Sequence, residues 1–140
     1  LLFTCPPYFD LEIYSREFQK DGSAFDDYDK FVAWYYYIFE QAVRKLKKNR
    51  FCIVVVGEIR DKKTGSYRNL VGDTTAIFTE LGLHYYNEMI LITMGGSLSL
   101  RITKQFEASR KIGKTHQNVL VFWKGDLTKI RSVFKKLDKE

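Results

Sequence analysis

The stretch Thr4-Cys5-Pro6-Pro7-Tyr8 follows a short apolar run and places an aromatic ring directly behind two prolines. Each proline fixes one backbone angle and has no N–H, so a rigid turn keeps its carbonyls free as acceptors. Such a turn can hold an acceptor against the amino group of a flat substrate while the Tyr8 ring stacks on its face. Cys5 is a small residue at the end of a strand, and its thiol is a weak acceptor. A second group is basic. Between Gly95 and Lys114 lie Arg101, Lys104, Arg110, Lys111 and Lys114, with Glu107 as the one acid. Lysines and arginines at this density can neutralise phosphates, and the glycines and serines among them let a backbone approach a strand.

The elements that must position these residues follow from periodicity. Residues 1–5 read as the end of a buried strand, and residues 8–26 as a long polar loop. Asp27 or Asp29 can cap the next helix. Along it Phe31, Tyr35, Ile38, Ala42 and Leu46 recur at helical spacing, up to about Asn49. Residues 51–56, FCIVVV, are continuously apolar and β-branched, which predicts a central parallel strand covered on both faces and ended by Gly57. A charged loop with a turn at Thr64-Gly65 follows. A second helix runs from about Asn69 to Leu81, with Leu70, Thr74, Ile77, Phe78 and Leu81 on one side and Gly82 as its stop. Residues 84–93 and 118–124 read as two more strands. Residues 95–115 between them show no helix-length periodicity, so these strands are expected to pair antiparallel across a functional loop. The order implies an α/β fold with right-handed crossovers.

Composition bounds the function. The chain has 140 residues, is 45% hydrophobic and 16% aromatic, and can bury a core. No apolar run approaches the roughly 18 residues of a membrane helix, and no signal peptide is visible. Cys5 and Cys52 lack the neighbours of a metal site and point to a reducing, intracellular compartment. A net charge of +6 permits a polyanionic partner. The basic cluster RKLKKNR closes a helix, where the helix dipole alone accounts for it. Trp34, Tyr36 and Tyr37 cannot all face one core, so part of that surface is free to meet another segment or chain. His116, just before a strand, reads as structural. Glu58 and Arg60 stand at the carboxyl end of the central strand, either lining a site or pairing within a loop.

TCPPY resembles the D-P-P-Y, N-P-P-Y or S-P-P-Y motif of DNA amino-methyltransferases. FTCPPYFDLEIYS, VVVGEIRDK, YRNLVGDT, GLHYYNEMILIT and QFEASRKIGKTHQNVLVFWKGD together look like the C-terminal half of phage and prophage DNA methylases. The resemblance covers nearly the whole chain to Asp126. It implies the C-terminal half of a Rossmann-like class I S-adenosylmethionine-dependent methyltransferase sheet with its last strand antiparallel. Residues 1–126 would be partial catalytic domain and 127–140 a basic, mostly helical tail. The implied activity moves a methyl group from S-adenosylmethionine to the exocyclic amine of adenine or cytosine in a flipped-out DNA base. Tyr8 would stack on that base, the Pro6 carbonyl would accept from its amine, Pro7 would stiffen the turn, and the side chain of Cys5 would accept a second bond. Thr4 and Cys5 would border the cofactor, and Arg101, Lys104, Arg110, Lys111 and Lys114 would contact DNA. The implied setting is the bacterial cytoplasm, with a phage or prophage gene.

Two features depart from that pattern. Cys5 replaces the usual Asp, Asn or Ser, which removes the position that separates adenine from cytosine. It is also unlike the nucleophile of cytosine carbon-5 methylases, which follows a proline, whereas Cys5 precedes two. No glycine-rich turn follows a first strand, and Gly95-Gly96 opens the basic stretch instead. The chain is therefore expected to be a fragment whose cofactor pocket is completed by a missing N-terminal half or a second chain. The alternatives are a catalytically incomplete DNA-binding module, or a methyltransferase of RNA or another substrate.

Overall fold

The computed structural model describes residues 1–9, 27–93 and 98–134, without the side chains of residues 98–101. The elements in chain order are β1 (Leu2–Thr4), α1 (Tyr28–Lys45), β2 (Arg50–Val56), α2 (Leu70–Glu80), β3 (His84–Ile92), α3 (Leu98–Ser109), β4 (His116–Lys124) and α4 (Ile130–Val133). The α/β alternation is as the sequence predicts. The expected loop at residues 8–26 lies, beyond Phe9, outside the described residues.

The strands form one open sheet in the order β1-β2-β4-β3. β1 and β2 run parallel, with Leu2 opposite Cys52 and Thr4 opposite Val54. β4 is antiparallel to both neighbours, β2 and β3. The antiparallel pairing of the last two strands is thus present. The purely parallel setting expected for β2 is not, since one of its two neighbours is β4. A continuous β-branched run signals burial, and it carries no information about the direction of the adjacent strand.

The expectation of a structureless stretch at 95–115 is also corrected, because α3 occupies Leu98–Ser109. Leu98, Ile102 and Phe106 recur every fourth residue, a stripe too short to stand out among serines and basic residues. The helix ends where Arg110 turns to φ 57° and its N–H reaches the Phe106 carbonyl at 2.8 Å.

α1 and α2 pack on one sheet face against Cys52, Val54, Val56, Leu120 and Phe122. Phe78 is fully buried, 4.7 Å from the Phe39 ring and 4.8 Å from the Phe122 ring, and so ties both helices to β4. The apolar stripe of α1 differs from the expected one. Phe31, Tyr35, Phe39 and Val43 are buried, whereas Ile38 is 41% exposed. Steps of four keep these residues on one face, and Phe39 brings a larger apolar area to it than Ile38 does. Asp27 is the cap, accepting from the Asp29 and Lys30 N–H groups. Thr74, buried within α2, donates to the Leu70 carbonyl at 2.7 Å, and its oxygen accepts from the buried Tyr35 hydroxyl of α1 at 3.3 Å.

Among the described residues the other face is covered at one end only. There Trp123 is fully buried, with Phe51 4.7 Å away and Phe134 stacked on Phe51. The register puts Phe3 and Met89 on that same face, and they are 63% and 53% exposed. The two-sided cover expected for the central strand is therefore incomplete, and Ile53 is only half-buried. No described helix is long and apolar enough to cross a membrane.

Candidate active site

Strand direction gathers the candidate residues at one end of the sheet. β1 and β2 are parallel, so Cys5 and Gly57 leave the sheet at the same end. β4 is antiparallel to β2, so His116 and Gln117 enter there. β3 also finishes at that end, where the Thr93 N–H donates to the Thr115 carbonyl at 2.8 Å. The basic stretch between β3 and β4 is consequently anchored beside the Cys5–Tyr8 turn.

The turn is held at several points. Cys5 is exposed, Pro6 is buried, and Thr4, Pro7 and Tyr8 are half-buried. Phe9, 2% exposed, anchors the far side, edge-to-face with Tyr28 at 5.6 Å and 5.4 Å from the Phe31 ring. Gln117 donates from Nε2 to the Tyr8 hydroxyl at 2.7 Å. A methyl group on Gly57 would sit 3.3 Å from that hydroxyl, so the turn closes down on a glycine floor. Neither Gln117 nor Gly57 was among the residues expected to act. A single Gln before a strand carries no motif, and only the strand order brings it to Tyr8.

The loop after β2 braces the same turn. The Arg68 guanidinium pairs with Asp61 at 2.5 Å and lies 5.1 Å from the Phe9 ring and 5.0 Å from the Tyr28 ring. Asp61 accepts from the Thr64 and Lys63 N–H groups at 2.7 and 2.8 Å, and the Thr64 bond leads in holding its carboxyl below the usual range. Tyr28 donates to Asp73 at 2.7 Å, and burial, then that bond, push its phenol well above the usual range.

Glu58 and Arg60 have structural partners and still border a cleft. Glu58 Oε1 caps α2 by accepting from the Val71 N–H at 3.0 Å. That role falls to it because Asn69, at the helix start, makes no side-chain cap. Arg60 donates to the Gly65 carbonyl at 2.9 Å and stacks on Tyr67 at 3.9 Å. With Tyr67, Gln105, Ile112, Gly113 and Lys114 they line a cleft of about 230 Å³.

The basic residues are not equivalent. Lys104 is exposed on α3. The Arg110 guanidinium folds back over the Phe106 ring at 5.2 Å. Lys111 packs beside Gly65 in the turn after β2. Lys114 donates to Asn118 Oδ1 at 3.3 Å. The side chain of Arg101 lies outside the described residues. His116, the first residue of β4, is half-buried. Both cysteines are free thiols, Cys5 exposed and Cys52 buried. Among the described residues no group of His, Cys, Asp and Glu could hold a metal ion.

No protein-family model matches this chain, and no curated protein matches it. Solved structures do match. A crystal structure of a candidate DNA modification methylase from Thermus thermophilus superimposes with a TM-score of 0.63 at 18% identity, covering 99% of this chain and 48% of that one. The structure of that methylase complexed with S-adenosyl-L-methionine gives 0.61 at 18% identity, covering 99% and 49%. Its selenomethionine derivative gives 0.57 at 17% identity, covering 81% and 42%. The chain spans about half the length of these structures. Its mixed α/β fold with one open sheet is similar to a methylase fold.

Proposed function

We propose that this chain is the C-terminal half of a Rossmann-like class I methyltransferase domain, acting on the exocyclic amine of adenine or cytosine in DNA. One observation carries the proposal: the Cys5–Tyr8 turn, the glycine floor at Gly57 and the anchored basic stretch converge at one end of the sheet. In open α/β sheets that end is where ligands bind. The fold likeness to a DNA modification methylase supports the same conclusion.

In this proposal the base leaves the duplex, because its amine is unreachable inside the stack. Tyr8 stacks on it, the Pro6 carbonyl accepts from its amine, and Pro7 keeps that carbonyl in place. Cys5, exposed beside the turn, accepts a weak second bond. Lys104, Arg110, Lys111 and Lys114, with Arg101, offer charge to the phosphates.

S-adenosylmethionine, when bound, supplies the methyl group. The residues present fit one border of its place: half-buried Thr4 and exposed Cys5 end a strand that, among the described residues, is paired on one side only. The rest of that pocket belongs to a further segment or a second chain. The half-length match and the exposed sheet face at Phe3 and Met89 support this. Residues 1–126 form the catalytic part, 127–140 a basic tail, and the setting is the cytoplasm of a bacterium, from a phage or prophage gene.

The test incubates the natural full-length protein with methyl-labelled S-adenosylmethionine and unmethylated DNA, then identifies the labelled nucleoside by mass. Label on an exocyclic amine, lost in Tyr8→Ala, is the expected result. No label on DNA sinks the proposal. Cys5 and the lack of a glycine-rich turn favour, as a second reading, a DNA-binding module without catalysis. Its signature is salt-dependent DNA binding with no cofactor affinity. Label on RNA in place of DNA identifies the remaining alternative.

A further inference from the structure

We infer that Gln117 is a positioning residue that locks the Tyr8 ring in the orientation needed to stack on the substrate base. The inference rests on the methyl-transfer proposal for this site. Tyr8 stands on a turn outside the sheet, and a tyrosine there has a χ1 swing to lose before it can present one face. Gln117 stands inside β4, opposite Leu91 of β3, so its backbone is fixed by strand pairing. Its Nε2 donates to the Tyr8 hydroxyl at 2.7 Å, joining residues 109 positions apart.

The geometry of that bond decides what it can do. The hydroxyl lies on the long axis of the ring. A bond there leaves the ring free to flip about its axis but blocks the swing about χ1. Gly57 closes the other side, since its Cβ position is 3.3 Å from the Tyr8 hydroxyl and 3.6 Å from the Gln117 Cγ. Phe9, the next residue, is buried between Tyr28 and Phe31 and fixes the backbone of the turn. The neighbouring Asn118 is engaged elsewhere, with Lys114 at 3.3 Å and Glu88 at 2.5 Å, so it cannot substitute for Gln117. The ring is thus held by its tip and its backbone, an arrangement that pre-organises a stacking face.

The test uses the natural full-length protein with Gln117→Met, Tyr8→Phe, the double variant and Gln117→Glu. Methionine keeps the length and apolar stem and removes the donor. Glutamate restores the bond with the Tyr8 hydroxyl as donor. Gln117→Met and Tyr8→Phe each lower kcat about tenfold, with KM for S-adenosylmethionine and melting temperature nearly unchanged. The double variant is no worse than Tyr8→Phe, because the bond that Gln117→Met removes is already gone there. Gln117→Glu recovers most of the rate. Additive losses, or a Gln117→Met variant with parental kcat, overturn the inference.

A readout free of activity separates this inference from the proposal beneath it. Three-bond couplings in protein carrying labelled tyrosine report whether Tyr8 χ1 is fixed. The parent shows one rotamer and Gln117→Met shows averaging. A single unchanged rotamer in Gln117→Met overturns the inference even where methyl transfer is confirmed. Averaging in a protein that transfers no methyl leaves the lock in place and removes the function it was assigned.

Discussion

A methyl group added at Gly57 would lie 3.3 Å from the hydroxyl of Tyr8, tighter than most real contacts. Gly57 follows β2, is buried, and is needed for the room it leaves under the turn. Gly57→Ala should therefore move the Tyr8 ring by a few tenths of an ångström and lower methyl transfer more than stability. Gly57→Val adds bulk the turn cannot absorb, with an expected cost of about 1–3 kcal/mol. Urea denaturation alongside single-turnover transfer reads both. Full activity in Gly57→Val would show that the ring position is immaterial.

The two thiols should separate cleanly. Cys5 is exposed, while Cys52 is fully buried and burial pushes its thiol up to about 12. Only a thiolate attacks an alkylating reagent at a useful rate. In the folded protein at pH 8, iodoacetamide should label Cys5 and spare Cys52, and denaturant should expose both. Peptide mass mapping counts the adducts. S-adenosylmethionine should slow the Cys5 reaction if Thr4 and Cys5 border its place, and an unchanged rate would remove them from the cofactor site.

The phase of α1 is open to a direct comparison. Phe78 meets Phe39 of α1 and Phe122 of β4, both within 5 Å. Truncating it removes the link between two layers, and Phe78→Ala should cost about 3–5 kcal/mol. Ile38 is 41% exposed, and Ile38→Ala should stay within about 0.5 kcal/mol. Phe39→Ala should be as costly as Phe78→Ala, and thermal unfolding of Phe39→Ala beside Ile38→Ala settles which stripe of α1 faces the sheet. A costly Ile38→Ala beside a mild Phe39→Ala would reverse the assignment.

What the sequence disclosed and what it hid follow the range of the interactions. FCIVVV announced a central strand, Gly82 a helix end and Asp27 or Asp29 a cap, because each signal sits within a few residues of its effect. The end of β1 before Pro6 and Pro7 was legible for the same reason: two prolines act on their own backbone. The partners of the turn that follows were not. Gln117 reaches it through the insertion of β4 between β2 and β3, and Gly57 and Arg68 through the pairing of β2 with β1, and no local pattern encodes either pairing. The helix Leu98–Ser109 escaped because its apolar stripe is only Leu98, Ile102 and Phe106, too short to stand out among the serines and basic residues around it.

Acid should loosen the brace behind the turn. Asp61 accepts from the Thr64 and Lys63 N–H groups and pairs with Arg68, whose guanidinium covers the Phe9 and Tyr28 rings. The Thr64 N–H foremost holds the Asp61 carboxyl below the usual carboxylate range. A carboxyl lowered in the folded state adds stability above its unfolded value, about 4, and that stability is lost as pH falls through the lower folded value. Asp61→Asn cannot ionise and should lack this acid-dependent part. Amide shifts of Lys63 and Thr64, followed downward from pH 6, should hold until the solution is more acidic than an ordinary carboxyl requires, then move together with the Phe9 ring signals. If the Phe9 ring stays in place while the loop amides titrate, the Asp61–Arg68 pair braces its own loop and not the Tyr8 turn.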